Sequence, residues 1–159
     1  MSYTNADGLR VLTNGGQGTV QDKGVAGDGF LVVDIADFTD IGSTFGASDI
    51  DANDAVIPAG SVILGATLVM TTAATSGGAA TLTIGTYNSA GTAFDADGID
   101  AAVALTVIDA AGDVVRCDGA QASGVLGYLT ADAHIGLIYG TAAYTAGAGK
   151  LIVEYKKLT

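Results

Sequence analysis

From Ser61 the side chains fall alternately on two sides. Val62, Leu64, Ala66, Leu68 and Met70 share one side; Ile63, Gly65, Thr67, Val69 and Thr71 share the other. A period of two is the signature of a strand with one buried face. Ser76-Gly77-Gly78 interrupts it. Thr81-Leu82-Thr83-Ile84 resumes it, with Leu82 and Ile84 opposite two threonines and β-branched residues suited to a pleated surface. Asn88-Ser89-Ala90-Gly91 ends it. From Val56 to Phe94 there is no Asp, Glu, Lys or Arg. The stretch opens on the only proline, in the turn Ile57-Pro58-Ala59-Gly60. It reads as a central, charge-free hairpin of two strands.

The rest of the chain is organised around it. Gly29 to Ile35 is a strand, with Leu31, Val33 and Ile35 alternating against Phe30, Val32 and Asp34. Residues 36–55 form an acidic loop, long enough to expect a short helix or a task of its own. Between Asp95 and Gly112, Ile99, Val103, Thr106, Val107 and Ala110 fall at helical spacing, which predicts a short helix near 99–110. Val114 to Cys117 is a short strand, and 118–131 a Gly and Ala loop. Ala133 to Tyr139 is a strand and Thr141 to Gly149 a small-residue turn. Lys150 to Leu158 is the last strand, with Leu151, Val153 and Tyr155 facing in and Glu154 and Lys156 facing solvent. Residues 1–24 are a polar N-terminal arm around Leu9-Arg10-Val11-Leu12, expected to order against a partner. Residues 25–159 are expected to form a single domain. It should be mainly β: an antiparallel β-sandwich, jelly-roll-like, with one short helix.

Composition supports strands and tight turns. The 24 glycines among 159 residues disfavour long helices. Charged residues are 14% and apolar ones 49%, which argues against disorder. Mean hydropathy is +0.46, much of it from Ala and Gly. No apolar run reaches the roughly 18 residues of a membrane-spanning helix. The polar start, Met1 to Asp7, lacks the charged and apolar regions of a secretory signal. The net charge is −11. Residues 1–149 carry 16 Asp against Arg10, Lys23 and Arg116, a balance of −13; residues 150–159 carry Lys150, Lys156 and Lys157 against Glu154, a balance of +2. Binding to nucleic-acid phosphates or to anionic membranes is not expected of such a chain.

Candidate chemistry is sparse. Cys117 and His134 are each the sole residue of their type. Cys117 reads as a small buried apolar side chain, and His134 as structural, because neither has a partner in the sequence for catalysis or metal ligation. Asp49-Ile50-Asp51-Ala52-Asn53-Asp54 begins like a calcium loop. It departs from one at Asp54, where glycine belongs, and at Gly60, where glutamate belongs. Asp95, Asp97 and Asp100 form a second acidic turn. Asp49, Asp51 and Asp54, or Asp95, Asp97 and Asp100, are the places a calcium or magnesium ion could sit. The adopted reading is solvated loop acids and caps, with no metal and no cofactor. Gly147-Ala148-Gly149-Lys150 is not a phosphate loop: Tyr144 replaces its first glycine, and a strand follows instead of a helix. No G-x-S-x-G occurs. With no Trp and only 6% aromatics, a sugar-stacking cleft is disfavoured. No catalytic residues are assigned, and the chain is read as not an enzyme.

Several segments carry a family likeness. They are Ile57-Pro58-Ala59-Gly60-Ser61 leading into a strand, and Ala73-Ala74-Thr75-Ser76-Gly77-Gly78-Ala79-Ala80-Thr81-Leu82-Thr83-Ile84-Gly85. Leu129-Thr130-Ala131-Asp132 precedes another strand, and Gly140 to Gly147 precedes Lys150-Leu151-Ile152-Val153-Glu154-Tyr155. Over residues 25–158 this pattern resembles capsid decoration (cement) proteins, and similar head or knob proteins, of tailed bacteriophages. The resemblance implies a β-sandwich, often a homotrimer, on the outer capsid surface of the virion and made in the host cytoplasm. There it would bridge neighbouring copies of the major capsid protein. It carries no catalytic residues over. A head-fibre, knob or tail appendage, and a surface adhesin or carbohydrate-binding β-domain, are the alternatives. An exposed apolar edge invites aggregation, so a neighbouring subunit is expected to cover the charge-free hairpin.

Overall fold

The computed structural model describes residues 2–4, 10–12, 28–50, 56–125 and 127–158. Two short strands, β1 (Ser2–Thr4) and β2 (Arg10–Leu12), pair antiparallel. The rest of the arm expected over 1–24 lies outside the described residues. Eight further strands follow: β3 (Asp28–Ile35), β4 (Val56–Ile57), β5 (Ser61–Ser76), β6 (Thr81–Tyr87), β7 (Ala93–Ala104), β8 (Val114–Arg116), β9 (Ala133–Gly140) and β10 (Tyr144–Lys157). They form two antiparallel four-stranded sheets, in the orders β3-β10-β5-β8 and β4-β9-β6-β7. Strand pairs nest like a folded ribbon: β3 with β10, β4 with β9, β5 with β8, β6 with β7. Two further pairings, β10 with β5 and β9 with β6, roll the ribbon up. This winding is the jelly-roll topology.

The core lies between the sheets. Leu31, Leu68, Met70, Leu151 and Val153 from the first sheet meet Leu82, Ile84, Ile99, Val103 and Ala133 from the second. β10 alternates as expected: Leu151, Val153 and Tyr155 are buried, while Glu154 and Lys156 are exposed. It begins earlier than expected, because the small residues from Tyr144 to Gly149 continue the strand. Gly149 has room for nothing more, since a Cβ there would meet the Val69 carbonyl at 2.8 Å.

Three expectations are corrected. First, β5 and β6 are not a hairpin. They belong to different sheets, joined by Gly77–Ala80, and each is an inner strand. One side of each strand is therefore buried within the chain, while Val62, Leu64, Thr67 and Val69 of β5 lie on the outer side of their sheet. Second, β5 does not keep one phase. Glu154 pairs with Gly65 and Tyr155 with Ile63, which leaves Leu64 as an extra residue. That bulge reverses the alternation. Ser61 and Ile63 face the core before it and Ala66, Leu68 and Met70 after it, so Val62 and Leu64 lie on the outside. Third, there is no helix near 99–110. Residues 93–104 are β7, followed by a single 3-10 turn at Leu105–Val107. Six residues of β6, Leu82 to Tyr87, face eleven of β7, Val103 to Ala93. The bulges of this edge strand spread its inward residues to a helix-like spacing, as edge strands commonly allow.

The described part of the loop after β3 has two 3-10 turns, Phe38–Asp40 and Ala47–Asp49. Phe38 is fully buried and packs edge-on against Tyr144, with ring centroids 5.1 Å apart. None of the described helical turns is long and apolar enough to cross a membrane.

Candidate interaction surface

The acidic turns are built to hold their own backbone. Asp49 Oδ2 accepts the Gly46 N–H at 2.8 Å, closing the second 3-10 turn. Asp51 and Asp54 lie outside the described residues. Asp37 Oδ1 accepts the Thr39 N–H at 2.8 Å, and that bond holds its pKa below the usual value. Asp34, Asp37, Asp40 and Asp49 line an open groove of about 350 Å³ floored by Ile35, Ile41 and Leu137. Asp34 is paired with Lys150 at 3.1 Å. Three of these four carboxylates, Asp34, Asp37 and Asp49, are thus engaged in an ion pair or a cap.

Asp95, Asp97 and Asp100 sit on the bulged β7. Asp100 is buried, and its Oδ1 accepts the Ala102 N–H at 3.2 Å. Burial raises its pKa. Burial, followed by a side-chain hydrogen bond with Asp97, raises that of Asp95. Among the described residues no three His, Cys, Asp or Glu side chains converge as a metal site would require. Cys117 is buried beside this segment. Burial, with Asp100 next in effect, pushes its thiol up to about 12, so it stays protonated and inert at ordinary pH. His134 is buried on β9, opposite Val56 and Tyr87, and its Nδ1 has no partner. No nucleophile, base and orienting group come together here.

What distinguishes the two sheets is their outer faces. The β4-β9-β6-β7 sheet is overlaid by its own loops. Phe45 packs on Tyr87 with ring centroids 4.4 Å apart, and Gly42 O accepts the Tyr139 N–H at 2.9 Å. The β7 bulge lies over Gly85, where a Cβ would meet the Ala96 carbonyl oxygen at 2.2 Å. The loop after β8 is tied to that bulge by Gln121 N–H to Gly98 O at 2.8 Å and by the buried bond from Thr86 Oγ1 to Gln121 Oε1 at 2.8 Å.

The outer face of β3-β10-β5-β8 has no such cover among the described residues. Strand register sets its rows. Val32, Ile152, Thr67 and Arg116 stand side by side; so do Asp34, Lys150, Val69 and Val114. Phe30 and Glu154 form the next row, with the bulged Leu64 beyond them, and Lys156 and Val62 the last, continued by Tyr128. Phe30 is 58% exposed, Val32 51% and Val114 63%, so large apolar side chains stand in solvent on a flat sheet. Such a patch marks a contact surface. The charge-free stretch supplies part of this face through Val62, Leu64 and Val69; the rest comes from Phe30 and Val32 of β3, whose alternation alone does not say which side faces out.

No protein-family model matches the chain, and no curated protein does. Among solved structures, the chain resembles one in the capsid of Ralstonia phage GP4, with a TM-score of 0.51 and 23% identity over 82% of this chain and 85% of that one. A chain in the capsid asymmetric unit of cyanophage Pam1 aligns with a TM-score of 0.43 and 24% identity, over 98% of this chain and 99% of that one. The first likeness is one of fold.

Proposed function

We propose that the chain is a non-enzymatic structural protein of a phage virion, decorating the outer surface of an icosahedral capsid and bridging copies of its major capsid protein. The observation that carries this is a jelly-roll sandwich with one sheet face uncovered among the described residues and carrying exposed Phe30, Val32, Leu64 and Val114, in a fold shared with a chain of a phage capsid. A sandwich whose other sheet is partly overlaid by its own loops is suited to lying with one side against a larger body. The anionic loops on its remaining surface keep it soluble and discourage other contacts. The homotrimer implied by the family resemblance belongs to the same proposal, as an assembly formed on the shell.

A protein that binds only the assembled shell stabilises it by mass action. Purified chain added to expanded, undecorated shells of the phage that encodes it is expected to co-sediment and to raise their disruption temperature. Failure to co-sediment, while another surface protein of the same virion does, sinks the proposal.

A further inference from the structure

Every basic residue with a described side chain lies on β8 or β10, in one sheet. Arg116, Lys150 and Lys156 stand on its outer face, and Lys157 ends β10. Asp34 and Glu154 share that face, with Asp28 at the end of the Lys156 row. Elsewhere among described side chains stand ten aspartates: Asp37, Asp40, Asp49, Asp95, Asp97 and Asp100, then Asp109, Asp113, Asp118 and Asp132. One face is therefore close to neutral and apolar on an otherwise anionic body. Toward the β8 edge of this face the Arg116 guanidinium reaches over Gly65 of β5, with Nη2 at 3.8 Å from where a Cβ would stand, and it has no carboxylate within ion-pair distance among the described residues.

The size of the face limits what can cover it. Four strands about 4.8 Å apart and seven residues of about 3.3 Å each give roughly 450 Å². A stable interface in solution takes about 800 Å² from each partner. Two copies pressed face to face fall well short of that. A partner presented in many fixed copies does not need so large a contact, because contacts add up across the array.

We propose that the outer face of β3-β10-β5-β8 is the landing surface for a protein partner whose own surface is apolar and places a carboxylate opposite Arg116. This rests on the function proposed above, in which that partner is the shell. Arg is a residue type that concentrates binding energy at interfaces, and this one is exposed beside Thr67 and Val114 on a face that also carries Phe30, Val32 and Leu64. Its contribution should fade with added salt.

The test uses the full chain and undecorated shells, with Arg116→Glu and Val32→Asp on the face and Asp109→Lys as an exposed control far from it in charge pattern. Circular dichroism and melting check that each variant is folded; Arg116 is exposed, so its variant keeps the test alive if Val32→Asp does not fold. Arg116→Glu and Val32→Asp are each expected to weaken shell binding at least about tenfold, and Asp109→Lys by no more than about twofold. Hydroxyl-radical footprinting should label Phe30 and Tyr128 in the free chain and find them protected on shells. Wild-type chain that binds shells while both face variants bind equally well overturns this inference and leaves the function standing. Phe30 and Tyr128 already protected in the free chain also overturn it, assigning the face to another segment or a second copy. Wild-type chain that does not bind at all overturns both.

Discussion

Asp100 is an ionisable group placed where a hydrocarbon would sit more easily. It is 6% exposed, with the backbone N–H groups of Ala102 and Asp118 as hydrogen-bond partners and the Asp118 carboxylate adding negative potential. Its folded pKa is raised above the ordinary 3.8, and so is that of Asp95. The fold therefore holds these protons more tightly than the unfolded chain does. For a raised carboxyl the stabilisation is full below 3.8 and is lost as pH climbs through the folded pKa. Asp37, with a lowered pKa, acts in the opposite sense, losing its contribution as pH falls below 3.8; it is fully exposed and weighs little. Self-repulsion at a net charge of −11 also eases on mild acidification. The Asp100 contribution to the melting temperature is expected to fall as pH rises above 3.8, and Asp100→Asn to flatten that part of the profile. An unchanged pH slope in the variant would show that Asp100 is not a source of it.

At the scale of the element, the bulge at Leu64 decides which side of β5 is core. Leu68, after the bulge, is fully buried, while Leu64 is 49% exposed. Leu68→Ala is expected to lower stability by about 2–5 kcal/mol, and Leu64→Ala by less than about 1 kcal/mol. Urea unfolding of the two variants checks this, and equal losses would restore the unbroken phase. This is also where reading from sequence stopped. β3 and β10 were legible because each keeps one phase over its length, with Leu31 and Ile35, or Leu151 to Tyr155, on a single side. The second half of β5 was legible for the same reason. The first half was not, because a bulge is set by the partner strand: the step from Glu154 to Tyr155 exists only once β10 lies alongside. β7 failed more completely. Its bulges accommodate Gly85 and anchor Gln121, and those contacts are invisible from residues 93–104 alone. The identity of neighbouring strands was likewise out of reach, so consecutive β5 and β6 looked like a hairpin when they lie in different sheets. The candidate surface was half legible: the alternation of β3 was correct, but nothing in the spacing says which side faces out, or that one sheet is overlaid by loops and the other is not.

At the scale of the whole molecule, the two signs of charge are unevenly placed: the basic residues with described side chains stand on one sheet and most of the aspartates elsewhere. The anionic loops repel one another between copies, and the near-neutral face is too small to hold two copies together. In dilute solution the chain is expected to run as a single 15.6 kDa species, measured by light scattering after size exclusion. A stable trimer near three times that mass would show that contacts beyond this face hold copies together without a shell.

The nested winding has a consequence in time. β10 comes last of the ten strands yet lies in the middle of its sheet, between β3 and β5, and pairs Lys156 with Asp28 at the far end of the body. During synthesis β3 has no partner until β10 has left the ribosome, and the long-range closure that joins them is intrinsically slow. A jelly roll wound this way cannot settle half-made. Copies broken off before β10 leave a sheet split down its centre, so only chains carried through to β10 reach a folded state at all.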